Sequence, residues 1–268
     1  MPAAKSKLSI VIPTYNEANT IRELLERVQR VHFPIDYEII VVDDASIDRT
    51  YEREILIKLR NERNNIRIFR NRINQGKGFS IRKGIKRASG NLIVIQDGDQ
   101  EYNPQEIPKL LEPILQGEAE VVYGSRFLNR PWPEGMALAN WIANRFLTKM
   151  TNLLFGLRLT DMETCYKIFR VDLLRAMNLR SRRFGIEVEV TAYIAKLRVR
   201  VFELPISYVP RQRLQGKKIG WRDGIAAIFH LVRFNWGTPV HRAFWVIPAR
   251  YDAGVVPNRY PAVRAEPV

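Results

Sequence analysis

The first hundred residues alternate between short apolar runs, rich in β-branched side chains, and longer segments in which apolar residues recur every three or four positions. The short runs predict strands and the longer segments predict helices. Strands alternating with helices indicate βαβ units, and near-continuous apolar strands indicate a sheet covered on both faces. The pattern therefore predicts an α/β fold with a mostly parallel central sheet flanked by helices. The predicted strands are 8–13, 37–42, 66–70 and 91–96, and the predicted helices are 20–31, 50–59 and 78–88.

The pattern changes after Gly124. Longer amphipathic segments follow, with one further run that predicts a strand carrying Pro205 near the sheet edge. From residue 237 onward Pro, Gly and Arg dominate and no period is present, and the chain contains no internal repeat. We expect one domain over residues 1–236 and an extended or poorly ordered tail over 237–268. The predicted later elements are helices at 136–157, 185–197 and 221–236 and a strand at 199–209.

Polar clusters follow three of the predicted strands. Residues 14–17 (TYNE) follow the first strand, Asp43 and Asp44 follow the second, and residues 97–99 (DGD) follow the fourth. In open α/β sheets, ligands bind outside the carboxyl ends of the strands. The coincidence of three such clusters predicts a ligand site at that edge.

Two of these clusters carry carboxylates that suit particular ligands. Asp97 and Asp99 are separated by a glycine, and hard oxygen ligands at this spacing suit Mg²⁺ or Mn²⁺ bound together with substrate phosphates. A solvated Asp-Gly turn is the alternative. Asp43 and Asp44 could accept hydrogen bonds from a nucleotide base or ribose, or could simply cap the following helix.

Residues 74–78 (NQGKG) precede a predicted helix, so backbone N–H groups and Lys77 could face a phosphate. The spacing is not that of a Walker loop, and the Rossmann glycine fingerprint is missing after the first strand. These absences argue against a P-loop hydrolase and against a dinucleotide dehydrogenase.

Composition and charge narrow the class of protein. The 268 residues carry 43 Lys and Arg against 28 Asp and Glu, a net charge of +15 with a pI near 10.1. Such an excess attracts phosphate as nucleic acid, nucleotide or an anionic membrane face. A single cysteine excludes a disulfide scaffold. No signal-peptide core or stretch of about 20 apolar residues is present, so we expect a cytoplasmic protein, peripheral at most on the membrane.

Several motifs together resemble the GT-A domain of the family 2 glycosyltransferases, and most of all the polyprenyl-phosphate hexosyltransferases such as the dolichyl-phosphate mannose and glucose synthases. The resemblance runs from about residue 8 to 236, with the motifs in family order. It implies a GT-A fold with a Rossmann-like half that binds a nucleotide sugar. The motifs are SIVIPTYNE (9–17), VVDDAS (41–46), NQGKG (74–78), DGD followed by EYNP (97–104) and YGSR (123–126).

The resemblance implies roles for the matched positions. Asp43 would meet the nucleotide base, and Asp97 and Asp99 would hold Mg²⁺ or Mn²⁺ with Glu101 as a third metal ligand. The residues expected to bind the nucleotide sugar are Pro13, Tyr15, Glu17, Asp43, Lys77, Asp97 and Gly98, and those expected to hold donor or acceptor phosphates are Arg126, Arg211 and Lys217. Where many relatives read DPTSG, residues 161–165 read DMETC, a departure that bears on the acceptor contacts.

The implied reaction displaces a nucleoside diphosphate from the anomeric carbon of a hexose, with inversion as in the relatives. A phosphate acceptor is already anionic and needs positioning, whereas a sugar hydroxyl needs a carboxylate to take its proton. Asp161, Glu163 and Glu187 are the candidates for that base, and Asp99 completes the catalytic set. For Glu187 and Glu189 a solvated helix face is the alternative.

We therefore expect a metal-dependent transfer of hexose from a UDP- or GDP-sugar to a polyprenyl phosphate at the cytoplasmic membrane face. Transfer to a saccharide hydroxyl by the same fold is the first alternative. A basic nucleic-acid-binding protein is the second and less favoured, because gathered carboxylates repel phosphate unless a cation intervenes; no nucleic-acid partner is expected.

Membrane contact would use the basic C-terminal part of the domain. Arg211 and Lys217 would bind a lipid phosphate, together with Arg213, Lys218 and Arg222, where the helix at 221–236 lies on the membrane. Packing of that helix on the domain core is the alternative. The apolar stripe in question comprises Trp221, Ile225, Ile228, Phe229, Val232 and Trp236.

Overall fold

The structure is a computed structural model that describes residues 6–52, 65–183, 185–199, 201–211, 221–251 and 263–264. Its strands form one sheet of order β3-β2-β1-β4-β6-β5-β7-β8, in which β6 is antiparallel to both of its neighbours and every other described pair is parallel. The expected mostly parallel sheet is confirmed. The strands are β1 (Lys7–Thr14), β2 (Asp36–Asp43), β3 (Ile66–Arg70), β4 (Leu92–Ile95), β5 (Val121–Ser125), β6 (Lys167–Arg170), β7 (Val201–Pro205) and β8 (Val263–Arg264).

Helices flank the sheet because their apolar stripes are buried against it. Helix α1 buries Ile21, Leu24, Leu25 and Val28, and the helix at 77–87 packs so closely on β1 that a Cβ at Gly84 would lie 2.3 Å from Val11 Cγ1. In the part of the chain that the structure describes, no helix combines the length and apolarity needed to cross a bilayer. The helices are α1 (Ile21–Gln29), α2 (Lys77–Arg87), α3 (Ile107–Leu115), α4 (Leu138–Phe155), α5 (Val171–Ala176), α6 (Ile186–Lys196), α7 (Trp221–Asn235) and α8 (Val240–Ala243).

The strands and helices predicted from periodicity are present, with ends shifted by a few residues. Of the predicted helix at 50–59, the described residues form the end of the 3-10 turn Arg49–Tyr51 and Glu52, and residues 53–59 lie outside the described part of the chain. The predictions missed α3, β5, β6 and α5 in the middle of the chain, and α8 and β8 in the expected tail. Strands β5 (VVYGS) and β6 (KIFR) have only three and two consecutive apolar residues, so neither contains a continuous apolar run like that of β4 (LIVI).

The strand register brings the three polar clusters to one edge. Thr14 pairs with Asp43 across β1 and β2, while Val11 pairs with Ile95 at the end of β4. The backbone N–H of Gln96 then donates to the carbonyl of Val11, 3.0 Å away. Residues 14–17, 43–44 and 97–99 therefore leave the sheet side by side.

The division of the chain at residue 236 stays a prediction, but part of the predicted tail is packed rather than extended. Helix α8 and the 3-10 turn Ala249–Tyr251 follow α7, and the side chains of Ala243, Phe244 and Tyr251 are buried. Phe244 lies 5.6 Å from the ring of Tyr193 on α6. Burial of these apolar side chains fixes residues 240–251 against the domain.

Candidate active site

The loops after β1 and β2 are fastened to each other. Asn16 has a left-handed backbone (φ 52°), and its N–H donates to Ser46 Oγ over 2.9 Å, while its side-chain oxygen accepts from the N–H of Ile47 over 3.0 Å. Tyr15 is half-buried between these two loops, and Pro13 is buried one position before the end of β1. These loops form one wall of the site.

Asp43 is fully buried at the end of β2. Its carboxylate accepts from the Ser46 N–H over 3.2 Å and lies 3.2 Å from Arg70 Nε. Burial raises the pKa of Asp43. The guanidinium of Arg70 in turn stacks on Tyr51, 4.1 Å from the ring centroid. Contact between Asp43 and a nucleotide base stays a prediction. Sequence reasoning missed Arg70, although it pairs with Asp43 in the parallel register.

Asp44 organises the loop that precedes α2. Its carboxylate accepts from the N–H groups of Gln75 and Gly76, over 3.0 and 2.6 Å, and from the side-chain amide of Asn71. Gly76 is required here because its φ is +91° and a Cβ would lie 2.5 Å from the carbonyl oxygen of Arg182. The amides expected to face a phosphate are thus used by Asp44, which fixes the start of α2 and aims Lys77.

Lys77 bridges two carboxylates. Its ammonium lies 2.8 Å from Asp97 Oδ1 and 3.0 Å from Glu187 Oε1, and 3.6 Å from the sulfur of Cys165. Burial disfavours the charge on Lys77, but these neighbours outweigh it and hold the pKa of Lys77 well above its ordinary value. Burial also opposes ionisation of Asp97, yet the ammonium keeps the pKa of Asp97 below its ordinary value. Both groups are therefore charged at neutral pH.

A second cation, Arg211, bridges Glu17 and Asp99. Its Nη2 lies 2.6 Å from Glu17 Oε2 and 3.5 Å from Asp99 Oδ2. Gly98 lets the loop after β4 pack against the end of β1, since a Cβ there would lie 2.9 Å from Thr14 Cγ2. Residues from the ends of β1 and β4 and from the segment after β7 thus meet at one place.

Glu101 anchors that last segment. Its Oε1 accepts from the N–H of Arg211 over 2.8 Å, its Oε2 accepts from Tyr208 OH over 3.1 Å, and its carbonyl accepts from the N–H of Val209. Both carboxylate oxygens are therefore engaged, and its expected role as a third metal ligand stays a prediction. Nothing in the sequence marks Tyr208 as a partner.

Asp97 and Asp99 suit a hard divalent cation. Each side chain keeps about a fifth of its surface exposed at the end of β4, and each offers carboxylate oxygens. Mg²⁺ and Mn²⁺ are commonly held by one or two carboxylates together with phosphate oxygens. Among the described residues, no group of three or more His, Cys, Asp or Glu is placed to hold a metal ion by itself. The donor set fits a metal shared with a diphosphate.

Asp161 and Arg126 form a buried ion pair. Arg126 donates to Asp161 through its Nε (2.6 Å), its Nη2 (2.7 Å) and its backbone N–H (3.0 Å), and Asp161 has no exposed surface. Glu203 holds the same turn by accepting from the N–H groups of Thr160 and Asp161. A carboxylate held in this way is poorly placed to take a proton. The ion pair positions Arg126, and the expected role of Asp161 as a base stays a prediction.

Arg126 lines a neighbouring cleft of about 670 Å³, together with Lys109, Arg130 and Tyr208. Its guanidinium carbon lies 5.1 Å from the ring centroid of Tyr208, which connects it to Glu101. Lys217, the third expected phosphate ligand, lies outside the described residues. The cleft therefore adjoins the carboxylate cluster, and charges of both signs line it, since Glu106 and Glu134 accompany the three cationic side chains.

Glu163 and Glu187 complete the site from the side of α6. Glu187 is 9% exposed and Glu189 is fully buried, so neither lies on a solvated helix face. Among the described residues, Glu163 Oε1 and Glu187 Oε2 are buried without a hydrogen-bond partner. Burial, reinforced by the charge of Glu187, raises the pKa of Glu163 to about 7.

Comparison with known families gives a match over most of this region. The sequence model of the family described as "Glycosyl transferase family 2" matches residues 9–177. This segment contains every expected site residue from Pro13 to Asp161 and ends before α6.

Two curated relatives share the sequence beyond that segment. A dolichol-phosphate mannosyltransferase of Pyrococcus furiosus is 29% identical over 221 residues, which cover 80% of this chain and 60% of the relative. An undecaprenyl-phosphate mannosyltransferase of Micrococcus luteus is 30% identical over 231 residues, which cover 81% of this chain and 90% of the relative. The chain thus spans under two thirds of the first relative and nearly all of the second.

Among solved structures, the glucosyl-3-phosphoglycerate synthase of Mycobacterium tuberculosis has a similar fold. Its complex with Mn²⁺, UDP-glucose and phosphoglyceric acid superposes with a TM-score of 0.63 at 20% identity, covering 87% of this chain and 81% of the synthase. Another crystal of that synthase holds Mg²⁺ and UDP. At this identity the likeness concerns the fold alone.

Proposed function

The chain belongs to glycosyl transferase family 2, and on that premise we propose that it transfers a hexose from a UDP- or GDP-sugar to a polyprenyl phosphate. It is a glycosyltransferase of the GT-A fold, as its motifs predicted. The donor, the metal requirement and the acceptor are parts of the proposal. The similarity to a dolichol-phosphate and an undecaprenyl-phosphate mannosyltransferase supports a polyprenyl phosphate acceptor.

One observation carries the proposal. Two carboxylates at the end of β4 face two cationic side chains, with Asp97 beside Lys77 and Asp99 beside Arg211. This set offers both hard oxygen ligands and positive charge in a space a few ångströms across. A sugar nucleotide needs both, because its diphosphate is anionic when bound and gains negative charge as it leaves.

The residues present divide the work of the reaction. Asp97 and Asp99 would hold Mg²⁺ or Mn²⁺, whose chemistry when bound is to neutralise the leaving diphosphate. Lys77 stays charged and orients Asp97, while Arg211 can exchange its carboxylate partners for phosphate oxygens. Pro13, Tyr15, Glu17 and Asp43 would border the nucleotide, and a single displacement would invert the anomeric centre.

The acceptor phosphate would bind in the cleft lined by Arg126, beside the carboxylate cluster. A phosphate oxygen is anionic at neutral pH, so it can attack without a general base. Lys109 would contact the phosphate, and Arg126 and Arg130 would do so by exchanging their carboxylate partners, Asp161 and Glu134, for phosphate oxygens.

Transfer to a saccharide hydroxyl is the second candidate, and one observation favours it. Glu163 has a pKa of about 7 and a buried carboxylate oxygen without a partner among the described residues, which are properties of a general base. The two candidates differ in their acceptor, so a direct assay of transfer to polyprenyl phosphate and to sugars distinguishes them.

The enzyme would work on the cytoplasmic face of the membrane that holds its acceptor. Four members of the predicted apolar stripe of α7, Ile228, Phe229, Val232 and Trp236, are between 40 and 72% exposed, while the side chains of Trp221 and Ile225 lie outside the described set. Helix α4, which packs against α7, also exposes Ile142 and Phe146. Exposed apolar side chains on a basic protein suit an anionic membrane surface.

The test is a screen of UDP- and GDP-hexoses for transfer to a short-chain polyprenyl phosphate, with and without Mn²⁺. We expect one donor to be used, only with a divalent cation, with inversion at the anomeric carbon. Asp99→Ala should abolish turnover while its circular dichroism stays that of the wild type and its melting temperature changes little, because Arg211 keeps its 2.6 Å contact with Glu17. Unchanged turnover in Asp99→Ala, or transfer only to sugars, would contradict the proposal.

A further inference from the structure

We propose that Glu163, with Glu187 beside it, recognises a hydroxyl group of the donor hexose and so determines which hexose the enzyme accepts. This inference rests on the proposed function, because it assumes a nucleotide-hexose donor. Transfer to a phosphate acceptor needs no general base, so the proposed reaction leaves Glu163 without a role, and this inference assigns it one.

The carboxylates of Glu163 and Glu187 have hydrogen-bonding capacity that the described residues do not satisfy. Buried carboxylate oxygens are almost always partnered, since an unpaired one carries its full desolvation cost. Glu163 Oε1 and Glu187 Oε2 nevertheless have no partner among the described residues, and Glu187 is nine-tenths buried. A ligand that brings O–H donors would satisfy both oxygens.

Glu187 and Glu163 lie close to the proposed diphosphate site. Glu187 shares the ammonium of Lys77 with Asp97, so it lies one side chain away from the proposed diphosphate site. Glu163 lies two residues before Cys165, whose sulfur contacts Lys77 and whose N–H donates to Tyr102 OH over 3.2 Å. In a nucleotide sugar, the group bonded directly to the diphosphate is the hexose. Its hydroxyls would therefore lie next to these two carboxylates.

The two carboxylates select for ligands that donate hydrogen bonds. Phosphate groups and carbonyls only accept hydrogen bonds, so they cannot satisfy an ionised carboxylate. The charge balance also disfavours an additional cation, because Lys77 already serves Glu187. Buried Lys167, whose ammonium lies 4.7 Å from the Tyr123 ring centroid, adds a second nearby cation on the Glu163 side. Sugar hydroxyls donate, carry no charge and are held by geometry, which makes epimers distinguishable.

The experiment measures binding of UDP-glucose, UDP-galactose and GDP-mannose, and of UDP and GDP alone, by titration calorimetry with Mn²⁺. Deoxy derivatives of the tightest-binding donor are then compared in the wild type, Glu163→Ala and Glu163→Gln. For the wild type, removal of one particular hydroxyl should weaken binding roughly 10- to 100-fold, the usual cost of a hydrogen bond to a charged group. In Glu163→Ala that same deletion should cost nothing further, and the epimers should bind alike.

Three features separate this role from a structural one. Binding of UDP or GDP alone should be unchanged in Glu163→Ala, and Glu163→Gln should recover part of the discrimination because its amide oxygen still accepts. Glu203→Gln is the matched control: Glu203 is a buried carboxyl with the same pKa of about 7, but it accepts from the backbone of residues 160 and 161. It should lower the melting temperature without changing the ratio between epimers.

The inference is overturned if Glu163→Ala keeps the full penalty for every deoxy derivative, or if it lowers the turnover number while hexose binding is unchanged, which would make Glu163 a base. Wild-type transfer of hexose to polyprenyl phosphate, in the same preparation, would show that the proposed function stands in that case. If the wild type binds none of the nucleotides, the proposed function and this inference fall together.

Discussion

Paired charges hold the residues of the site in place before any substrate binds. Lys77 lies between Asp97 and Glu187, and Arg211 lies between Glu17 and Asp99. Asp97 and Asp99, which are proposed to bind metal, therefore each have a cationic side chain as an ion-pair partner when no metal is bound. The site avoids the cost of unpaired buried charge, which is several kcal/mol per ion by order of magnitude. Arrival of metal and diphosphate then exchanges one set of ionic partners for another.

A single buried carboxyl controls part of the pH dependence of stability. Burial raises the pKa of Glu203 from an ordinary value of 4.5 to about 7. Between these two values the unfolded chain loses this proton while the native protein keeps it, so the free energy of unfolding falls as the pH rises through that window. Glutamine stays neutral throughout. The destabilisation caused by Glu203→Gln should therefore be largest below pH 4.5 and shrink by about 2 kcal/mol between pH 5 and pH 8, as measured by urea unfolding.

Glu38 provides the control with the opposite shift. Burial works against its ionisation, but hydrogen bonds from Ser89 and Ser9 prevail and lower the pKa of Glu38 to about 2. The stability it contributes is present above pH 4.5 and is lost only as the pH falls towards 2. Glu38→Gln should therefore destabilise the protein by the same amount at pH 5 and pH 8. A parallel pH trend for both variants would contradict the assignment of the Glu203 effect.

At the scale of elements, α7 presents apolar side chains in two directions. Ala227, Leu231 and Phe234 are buried in the core, and the ring of His230 stacks on Phe234. The N-terminus of α6 approaches so closely that a Cβ at Gly185 would lie 2.6 Å from His230 Cδ2. The opposite side exposes Phe229 and Trp236. The helix is thus fixed by one face and free to contact a surface with the other.

Leu231 and Phe229 lie on opposite faces of α7, so substitutions at these two positions should change the free energy of unfolding by different amounts. Leu231→Ala removes a side chain that is 1% exposed and should lower the free energy of unfolding by about 3 kcal/mol through loss of packing. Phe229→Ala, at a residue that is 63% exposed, should change it by less than about 0.5 kcal/mol. Urea unfolding curves of the two variants measure the difference. Equal losses would place the core contacts of α7 elsewhere.

At the scale of the whole molecule, the net charge of +15 is distributed unevenly. From Arg198 to the end the chain has twelve basic and four acidic residues, in the part that contains α7. Charge of this sign attracts the protein to anionic lipid, and each basic residue close to the surface contributes about 1 kcal/mol, screened by salt. The apolar side chains on α4 and α7 would add a contribution that salt does not screen.

We therefore expect the full chain to bind phosphatidylglycerol-containing vesicles more tightly than pure phosphatidylcholine vesicles in a sedimentation assay. Binding should weaken steeply when the salt concentration rises from about 0.05 to 0.5 M. A double substitution of Phe229 and Trp236 by Asp should reduce binding at both salt concentrations, whereas Leu115→Asp on α3, also exposed, should not. Equal losses for these variants would contradict a membrane face on α7.

Local sequence patterns were sufficient for the framework of the fold. The runs that became β1, β2 and β4 are rich in β-branched apolar residues, and α1 follows apolar spacing, so their existence follows from nearest-neighbour chemistry. Helix α6 was expected to be amphipathic but is buried at every position from Ile186 to Ile194. Strands β5 and β6 escaped prediction because their apolar runs are only three and two residues long, whereas β4 reads LIVI. The antiparallel insertion of β6 depends on pairing with β4 and β5, which no local pattern records.

The sequence by itself determined the family, the mostly parallel sheet and the gathering of carboxylates at its edge, because motifs and apolar periods are properties of neighbouring residues. Only the tertiary structure decided how the charges pair. Arg211 meets Glu17 across 194 positions of sequence, Asp161 pairs with Arg126, and Glu163 is left beside Glu187 with an oxygen that lacks a partner among the described residues. Ionic and hydrogen-bond partners are chosen by distance in space, and the fold alone sets that distance.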